Sequence, residues 1–248
     1  MPVDVPDTAR GNLIRGKGRP ESRGPDAAMN NKKNGKNAPG PDGRPGILVV
    51  VEGIDGTGKT TLARNLYATL RDMGHEAIFT CEPTDGKWGR LLRSSFSAAE
   101  RLSPSEELDL FIRDRQDHVE RVLSPALSRR CYVICDRYYF STMAYQGARG
   151  LDPREIRSAN EAFAPVPDLV LLMDLDPELA LKRIIEERGD RPNNFEQLAV
   201  LKKVDAIFVS LSDPFIVRLD ATLSPEELLK LSLELVLKTG GKEGERNV

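Results

Sequence analysis

The chain is short of several things, and each shortage closes a class of function. It holds three cysteines, Cys81, Cys131 and Cys135, an odd number with no C-x-x-C pair. That excludes a disulfide scaffold and a thiolate zinc site, and it predicts packed free thiols in a reducing cytoplasm. Its only two histidines, His75 and His118, have no metal-ligand spacing and read as surface or helix-face residues. No apolar run approaches the roughly 20 residues that span a bilayer. The N-terminus lacks the apolar stretch of a secretory signal. Neither sign of charge dominates: 36 Lys and Arg face 38 Asp and Glu, so neither a nucleic-acid nor a membrane surface is expected.

What is present fits one α/β domain with appendages. Of 248 residues, 40% are hydrophobic and 30% charged, enough to bury a sizeable core. Residues 1–46 differ from the rest, with 8 Gly, 7 Pro, and 9 Lys/Arg against 5 Asp/Glu. This composition predicts a disordered basic tail, within which Met29 is a candidate internal start. The domain is expected over 47–240, with a flexible C-terminus over 241–248.

Strand and helix signals alternate from Ile47 onward. Apolar, β-branched runs predict strands at 47–51, about 77–81, 132–136, 169–175 and 215–219. Ser103-Pro104-x-Glu106, Asp152-Pro153-x-Glu155 and Ser224-Pro225-x-Glu227 each offer a cap, an N1 proline and a closing glutamate; Asp176-Pro177 offers the first two. The alternation predicts a five-stranded parallel sheet flanked by helices, with ligands beyond its C-terminal strand edges.

The first strand runs into Gly53-Ile54-Asp55-Gly56-Thr57-Gly58-Lys59-Thr60, a G-x-x-x-x-G-K-T phosphate-binding P-loop followed by Thr61. After it, Leu62, Leu66, Leu70 and Met73 recur at helical spacing up to Gly74. Strand, glycine loop and helix form the context this motif needs. Backbone N–H groups cradle phosphates, Lys59 reaches the terminal phosphates, and the Thr60 hydroxyl suits Mg²⁺. At the end of the third strand stand Asp136 and Arg137. Asp136 suits the Mg²⁺ shell. Arg137 suits a second phosphate, that of an acceptor, or else a plain surface pair with Asp136.

Several separated motifs together resemble the thymidylate kinase family of P-loop nucleoside monophosphate kinases. They are Glu52 to Thr61, Thr80-Cys81-Glu82-Pro83 with Arg93, Leu110-Phe111-Ile112-Arg113-Asp114-Arg115, Asp136-Arg137-Tyr138 with Ser141-Thr142 and Ala144-Tyr145-Gln146-Gly147, Pro167 to Leu172 with Asp174, and Asp190-Arg191. The likeness covers about residues 47–220. It implies the P-loop NTPase fold with a small lid at about 187–195, and transfer of phosphate from Mg-ATP to dTMP by a cytoplasmic homodimer.

The resemblance also implies site roles. Phe111 would stack on thymine, Arg115 donate to a thymine carbonyl, and Thr142 and Gln146 bond other edges of the base. Tyr145 would crowd the sugar C2′, Asp55 accept from the 3′-hydroxyl, and Arg93 and Arg137 hold the 5′-phosphate. Taken alone, Phe111 also fits a core residue, Arg115 a solvated arginine, and Thr142 and Gln146 exposed polar residues. The family's charge-neutralising arginine comes from the P-loop in one subgroup and from the lid in another. The P-loop position here is Gly56, so the expectation falls on Arg191, then Arg188. Cys81 replaces a family arginine. Alternatives are a P-loop kinase for dUMP or a deoxynucleoside, and a non-enzymatic switch or scaffold.

Overall fold

The computed structural model describes residues 46–96, 101–188 and 194–242. The expected tail over 1–45, the lid arginine Arg191, the side chain of Arg188 and the last residues from 243 lie outside the described residues.

Five strands form the sheet: β1 (Ile47–Gly53), β2 (Ala77–Cys81), β3 (Tyr132–Asp136), β4 (Leu169–Asp174) and β5 (Ile216–Asp220). All pairings are parallel, in the order β2-β3-β1-β4-β5. Every residue of the central strand β1 is buried, because helices cover both of its faces. The register aligns Val51 with Asp136 and Asp136 with Cys81. The ends of three strands thus meet at one edge, where the P-loop begins.

Helix α1 (Lys59–Asp72) buries Leu62, Ala63, Leu66 and Leu70 against the sheet, each leucine gaining about 1.5–3 kcal/mol over exposure. Met73, expected in that buried series, is instead the C-cap and 50% exposed. The helix ends there because Gly74 turns left-handed at φ 87°. Chain order continues with α2 (Lys87–Phe96), α3 (Pro104–His118), a π-helical stretch over Val119–Leu123, α4 (Ser124–Ser128), α5 (Tyr139–Gly147), α6 (Pro153–Glu161), α7 (Pro177–Arg188), α8 (Asn194–Ser210) and α9 (Pro225–Lys242). The π-helical stretch has no counterpart in the sequence reading, and α9 runs two residues past the expected domain end.

The reciprocal capping box forms at Ser103–Glu106 and at Ser224–Glu227. At the third site Asp152 caps the backbone N–H of Arg154 by itself. Helix α5 lies on β1 with α3, α6 and α8 around it, and α9 packs on α1. These contacts bring α3 and α5 together above the strand edge.

Candidate active site

The P-loop closes on itself. Gly58 is the N-cap of α1 at φ 87°, a conformation open to glycine, so the first N–H groups of the helix face outward as an anion site. The Lys59 ammonium folds back to donate to the Ile54 carbonyl and to Thr57 Oγ1 at 3.4 Å. Burial, with the Arg137 charge beside it, pushes Lys59 down to about 7 against the pull of Asp55, Asp136 and Glu52. A bound phosphate would favour its charged form. Gly56 sits at φ 82°, and a Cβ there would lie 2.5 Å from the Ala180 carbonyl oxygen. No side chain fits at that position, so the loop itself supplies no arginine.

The Thr60 hydroxyl donates to Asp136 Oδ2, while Asp136 Oδ1 is buried without a hydrogen-bond partner. An orphaned carboxylate oxygen beside a P-loop hydroxyl fits Mg²⁺, which takes one or two protein oxygens and completes its shell with water and phosphate. No cluster of three or more His, Cys, Asp or Glu side chains that could hold a metal occurs among the described residues.

Glu52 is fully buried just before the loop and organises the turn after β3. Its Oε1 accepts from the backbone N–H of Tyr138 at 2.7 Å and of Ser141 at 3.1 Å, and its Oε2 from the Ser141 hydroxyl at 2.6 Å. Burial raises its carboxyl to about 7 despite those bonds and the Arg137 charge. Arg137 stands in this turn at φ 68°, unusual for a residue with a side chain. Its guanidinium donates to Ser141 Oγ at 3.3 Å and to Asp55 Oδ1. Burial opposes the Arg137 charge, but Asp55 outweighs it. Burial would likewise raise Asp55, and Arg137 with Lys59 instead holds it below the ordinary carboxylate range. The Tyr145 ring lies 5.6 Å from that guanidinium, and burial pushes its hydroxyl up to about 12.

Beyond this pair opens a cavity of about 210 Å³. Phe111 and Phe96 form one wall, their rings 6.4 Å apart and tilted by 32°. Thr142, Tyr145 and Gln146 of α5 form the opposite part of the lining, with Asp55 and Arg137 at one end. Of the eight acceptor-site residues expected from sequence, the structure thus gathers Asp55, Phe111, Arg137, Thr142, Tyr145 and Gln146 around one space.

Two expected residues are outside that lining. Arg115 is 1% exposed. It donates to Glu82 Oε2 from Nε at 2.9 Å and Nη2 at 2.6 Å, to Thr142 Oγ1 at 3.1 Å, and to Asn160 Oδ1. The solvated-arginine reading therefore fails: the buried Glu82 carboxylate draws the guanidinium inward, and it faces the cavity through Thr142 and Glu82. Arg93 donates to the carbonyls of Pro83 and Thr84 and to Asp85, pinning the loop after β2.

His118 also departs from its surface reading. It is buried, with Nδ1 2.8 Å from Glu82 Oε1 and Nε2 2.7 Å from Thr80 Oγ1. Burial would raise Glu82, but Arg115 and His118 hold it low, so it is an acceptor and Nδ1 donates. Cys81 is half-buried at the end of β2, its thiol pushed up by burial, while Cys131 and Cys135 are buried and free as expected.

A second cavity, of about 360 Å³, lies on the other side of the loop. Gly56 to Gly58, Thr61 and Asn65 face Arg183 of α7 and the Ala221, Leu223 and Pro225 stretch that links β5 to α9. Arg183 donates to the Ala221 carbonyl at 3.1 Å. Sequence reasoning assigned Gly56, Thr57, Gly58 and Thr61 to ATP, but not Asn65, Arg183 or the β5–α9 link, because only the sheet order brings α7 and that link to the P-loop. Glu52, Glu82, Glu107 and Asn160 were missed as well. Each is a buried polar residue with at least one partner far off in sequence; Glu52, opening the P-loop motif, and Glu82, inside the Glu-Pro motif, carried the readable signals.

Comparison with known proteins agrees with this geometry. The family model described as "Thymidylate kinase" matches residues 51–231. A thymidylate kinase of Akkermansia muciniphila is 48% identical over 185 residues, 75% of this chain and 88% of its own. One of Xylella fastidiosa is 48% identical over 192 residues, 77% and 91% of the two chains. One of Xanthomonas campestris pv. campestris is 46% identical over 192 residues, 77% and 83%.

Proposed function

The chain belongs to the thymidylate kinase family, and we propose from that membership and the cleft's geometry how it works. It transfers the γ-phosphate of ATP to dTMP, giving dTDP and ADP. The observation that carries the reading is the position of the P-loop between two cavities, with Asp55 facing one and Gly56 the other. One loop therefore touches both substrates, which suits an in-line transfer that relies on positioning and charge rather than covalent chemistry.

On the donor side, the P-loop N–H groups and Lys59 take the ATP phosphates. The cavity bounded by Arg183 and the Ala221–Leu223 link would take the nucleoside. Thr60 and Asp136 would hold Mg²⁺, which would supply charge neutralisation for the transferring phosphates. On the acceptor side, Phe111 stacks on thymine, Gln146 and Thr142 meet its polar edge, and Arg115 tunes that edge from behind Thr142. Arg137 takes the 5′-phosphate, Arg93 shapes the loop beside it, and Asp55 and Tyr145 flank the sugar. Gly56 excludes a P-loop arginine, which supports Arg191, then Arg188, as the charge-neutralising residue; that role rests on sequence. The homodimer and the cytoplasmic setting follow from family resemblance alone.

A coupled ADP-release assay with Mg-ATP tests the reading, offering dTMP, dUMP, dCMP, dGMP, UMP and thymidine separately. Turnover led by dTMP is expected. Activity led by another acceptor would discard the base-reading assignments, and silence on all would discard the kinase. Light scattering checks the dimer.

A further inference from the structure

We propose that Glu107 is a specificity-determining positioning residue: it fixes the orientation of the Gln146 amide so that an acceptor, not a donor, faces the base. This rests on the reading of the Phe111 cavity as the thymine site.

Glu107 sits near the start of α3 with its side chain wholly buried. Among the described residues, each side chain bonded to its carboxylate is a donor. Arg101 donates to Oε1 at 2.8 Å and to Oε2 at 3.3 Å, Arg149 pairs with Oε2, and Gln146 Nε2 donates to Oε2 at 3.1 Å. Burial would raise this carboxyl, but Arg101 and Gln146 hold it below its ordinary value. An ionised carboxylate accepts only, so of the two ends of the Gln146 amide it can bind the NH₂ and not the carbonyl. The opposite end, Gln146 Oε1, is buried and has no hydrogen-bond partner. Gln146 lines the base cavity, and an orphaned buried acceptor there calls for a ligand donor.

The consequence is a filter on the acceptor base. Thymine and uracil carry a donor N3–H, which would satisfy Oε1. Cytosine carries a lone pair at N3, which would face Oε1 with no proton between them. A freely flipping glutamine would offer its NH₂ to cytosine and lose this discrimination. Glu107 removes that freedom without touching the substrate. Neither Glu107 nor its distance in sequence from Gln146 marks it as part of base reading.

The test is kcat/KM for dTMP, dUMP and dCMP in wild type, Glu107→Gln and Glu107→Asp. Glutamine at 107 offers both a donor and an acceptor and so releases the Gln146 amide. The dTMP-to-dCMP ratio is expected to fall by about tenfold or more, chiefly through KM, with the dTMP-to-dUMP ratio unchanged. Aspartate keeps an acceptor-only partner and should retain the wild-type ratio. An unchanged dTMP-to-dCMP ratio in Glu107→Gln, or an equal fall for all three acceptors, would overturn the proposal. If Glu107→Gln does not fold, a crystal structure of the wild-type chain with dTMP, at a resolution that separates amide N from O, decides it. The amide nitrogen facing Glu107 supports the proposal, and the nitrogen facing the base refutes it. Absence of dTMP turnover in the wild type would instead strike the underlying functional reading.

Discussion

The guanidinium of Arg137 donates to the carboxylate of Asp55, joining the turn after β3 to the middle of the P-loop. One residue is expected to take the acceptor's phosphate and the other its sugar hydroxyl, and here each neutralises the other. A dTMP phosphate must therefore compete with Asp55 for Arg137. Replacing Arg137 by alanine should weaken dTMP binding by about a hundredfold, since charge-assisted contacts to phosphate are among the stronger ones. Thymidine, which has no phosphate, should bind the variant and the wild type alike. Calorimetric titration of both ligands reads this directly, and an equal loss for the two would remove Arg137 from phosphate binding.

Glu52 gives the fold a pH dependence of definite sign. Its ordinary value is 4.5 and burial raises it to about 7 in the folded chain. Below pH 4.5 both states are protonated, and the contribution to stability is fully present. As pH rises towards 7 the unfolded chain ionises first, so folded stability falls, by on the order of 2–3 kcal/mol in all. Glu52→Gln cannot ionise and keeps an oxygen for the Tyr138 and Ser141 N–H groups. Urea unfolding between pH 4.5 and 7.5 should show the wild type losing stability relative to this variant. A constant difference across that window would mean Glu52 does not titrate there.

Arg115 and Glu82 are both almost wholly buried and ion-paired. Removing one leaves the other as an uncompensated interior charge, the costliest outcome for such a pair. Arg115→Ala is expected to destabilise by about 3–5 kcal/mol, whereas substitution of an exposed arginine such as Arg113 should change stability by less than about 0.5 kcal/mol. Chemical unfolding of the two variants side by side is the check. A small effect for Arg115→Ala would show that His118 alone compensates Glu82.

Arg115 also shows where the sequence stops speaking. The P-loop, its strand and its helix were legible because a glycine pattern and two hydrophobic periods lie within about thirty residues of one another. The helix starts were legible because capping is local chemistry, and two of the three boxes close as written. Burial of Arg115 depends on Glu82, 33 positions away, and the role of Gln146 depends on Glu107, 39 positions away. No periodicity encodes such pairs. Motif resemblance put Phe111, Thr142 and Gln146 at the base, and the structure sets all three around one cavity, but resemblance could not say that Arg115 stands behind that space. The second cavity was illegible for a further reason: it is assembled from α7 and the β5–α9 link, which only the sheet order brings to the P-loop.

Asp136 carries the last prediction. One of its oxygens accepts from the Thr60 hydroxyl, and the other is buried with no partner. A buried acceptor left open costs about 1–3 kcal/mol unless something in the working enzyme satisfies it. If that something is Mg²⁺, chelation should abolish turnover and added Mg²⁺ should restore it. Asp136→Asn keeps the shape but loses the charge, so its Mg²⁺ half-saturation should rise by about tenfold or more, with a fall in kcat. Its dTMP affinity should stay close to wild type, because Asp136 is absent from the lining of the acceptor cavity. A Mg²⁺ titration that overlays the wild-type curve would leave the orphaned oxygen unexplained by metal. The alternative would then be that Asp136 serves only to orient Thr60 through its other oxygen, and Thr60→Ala would have to reproduce the whole defect.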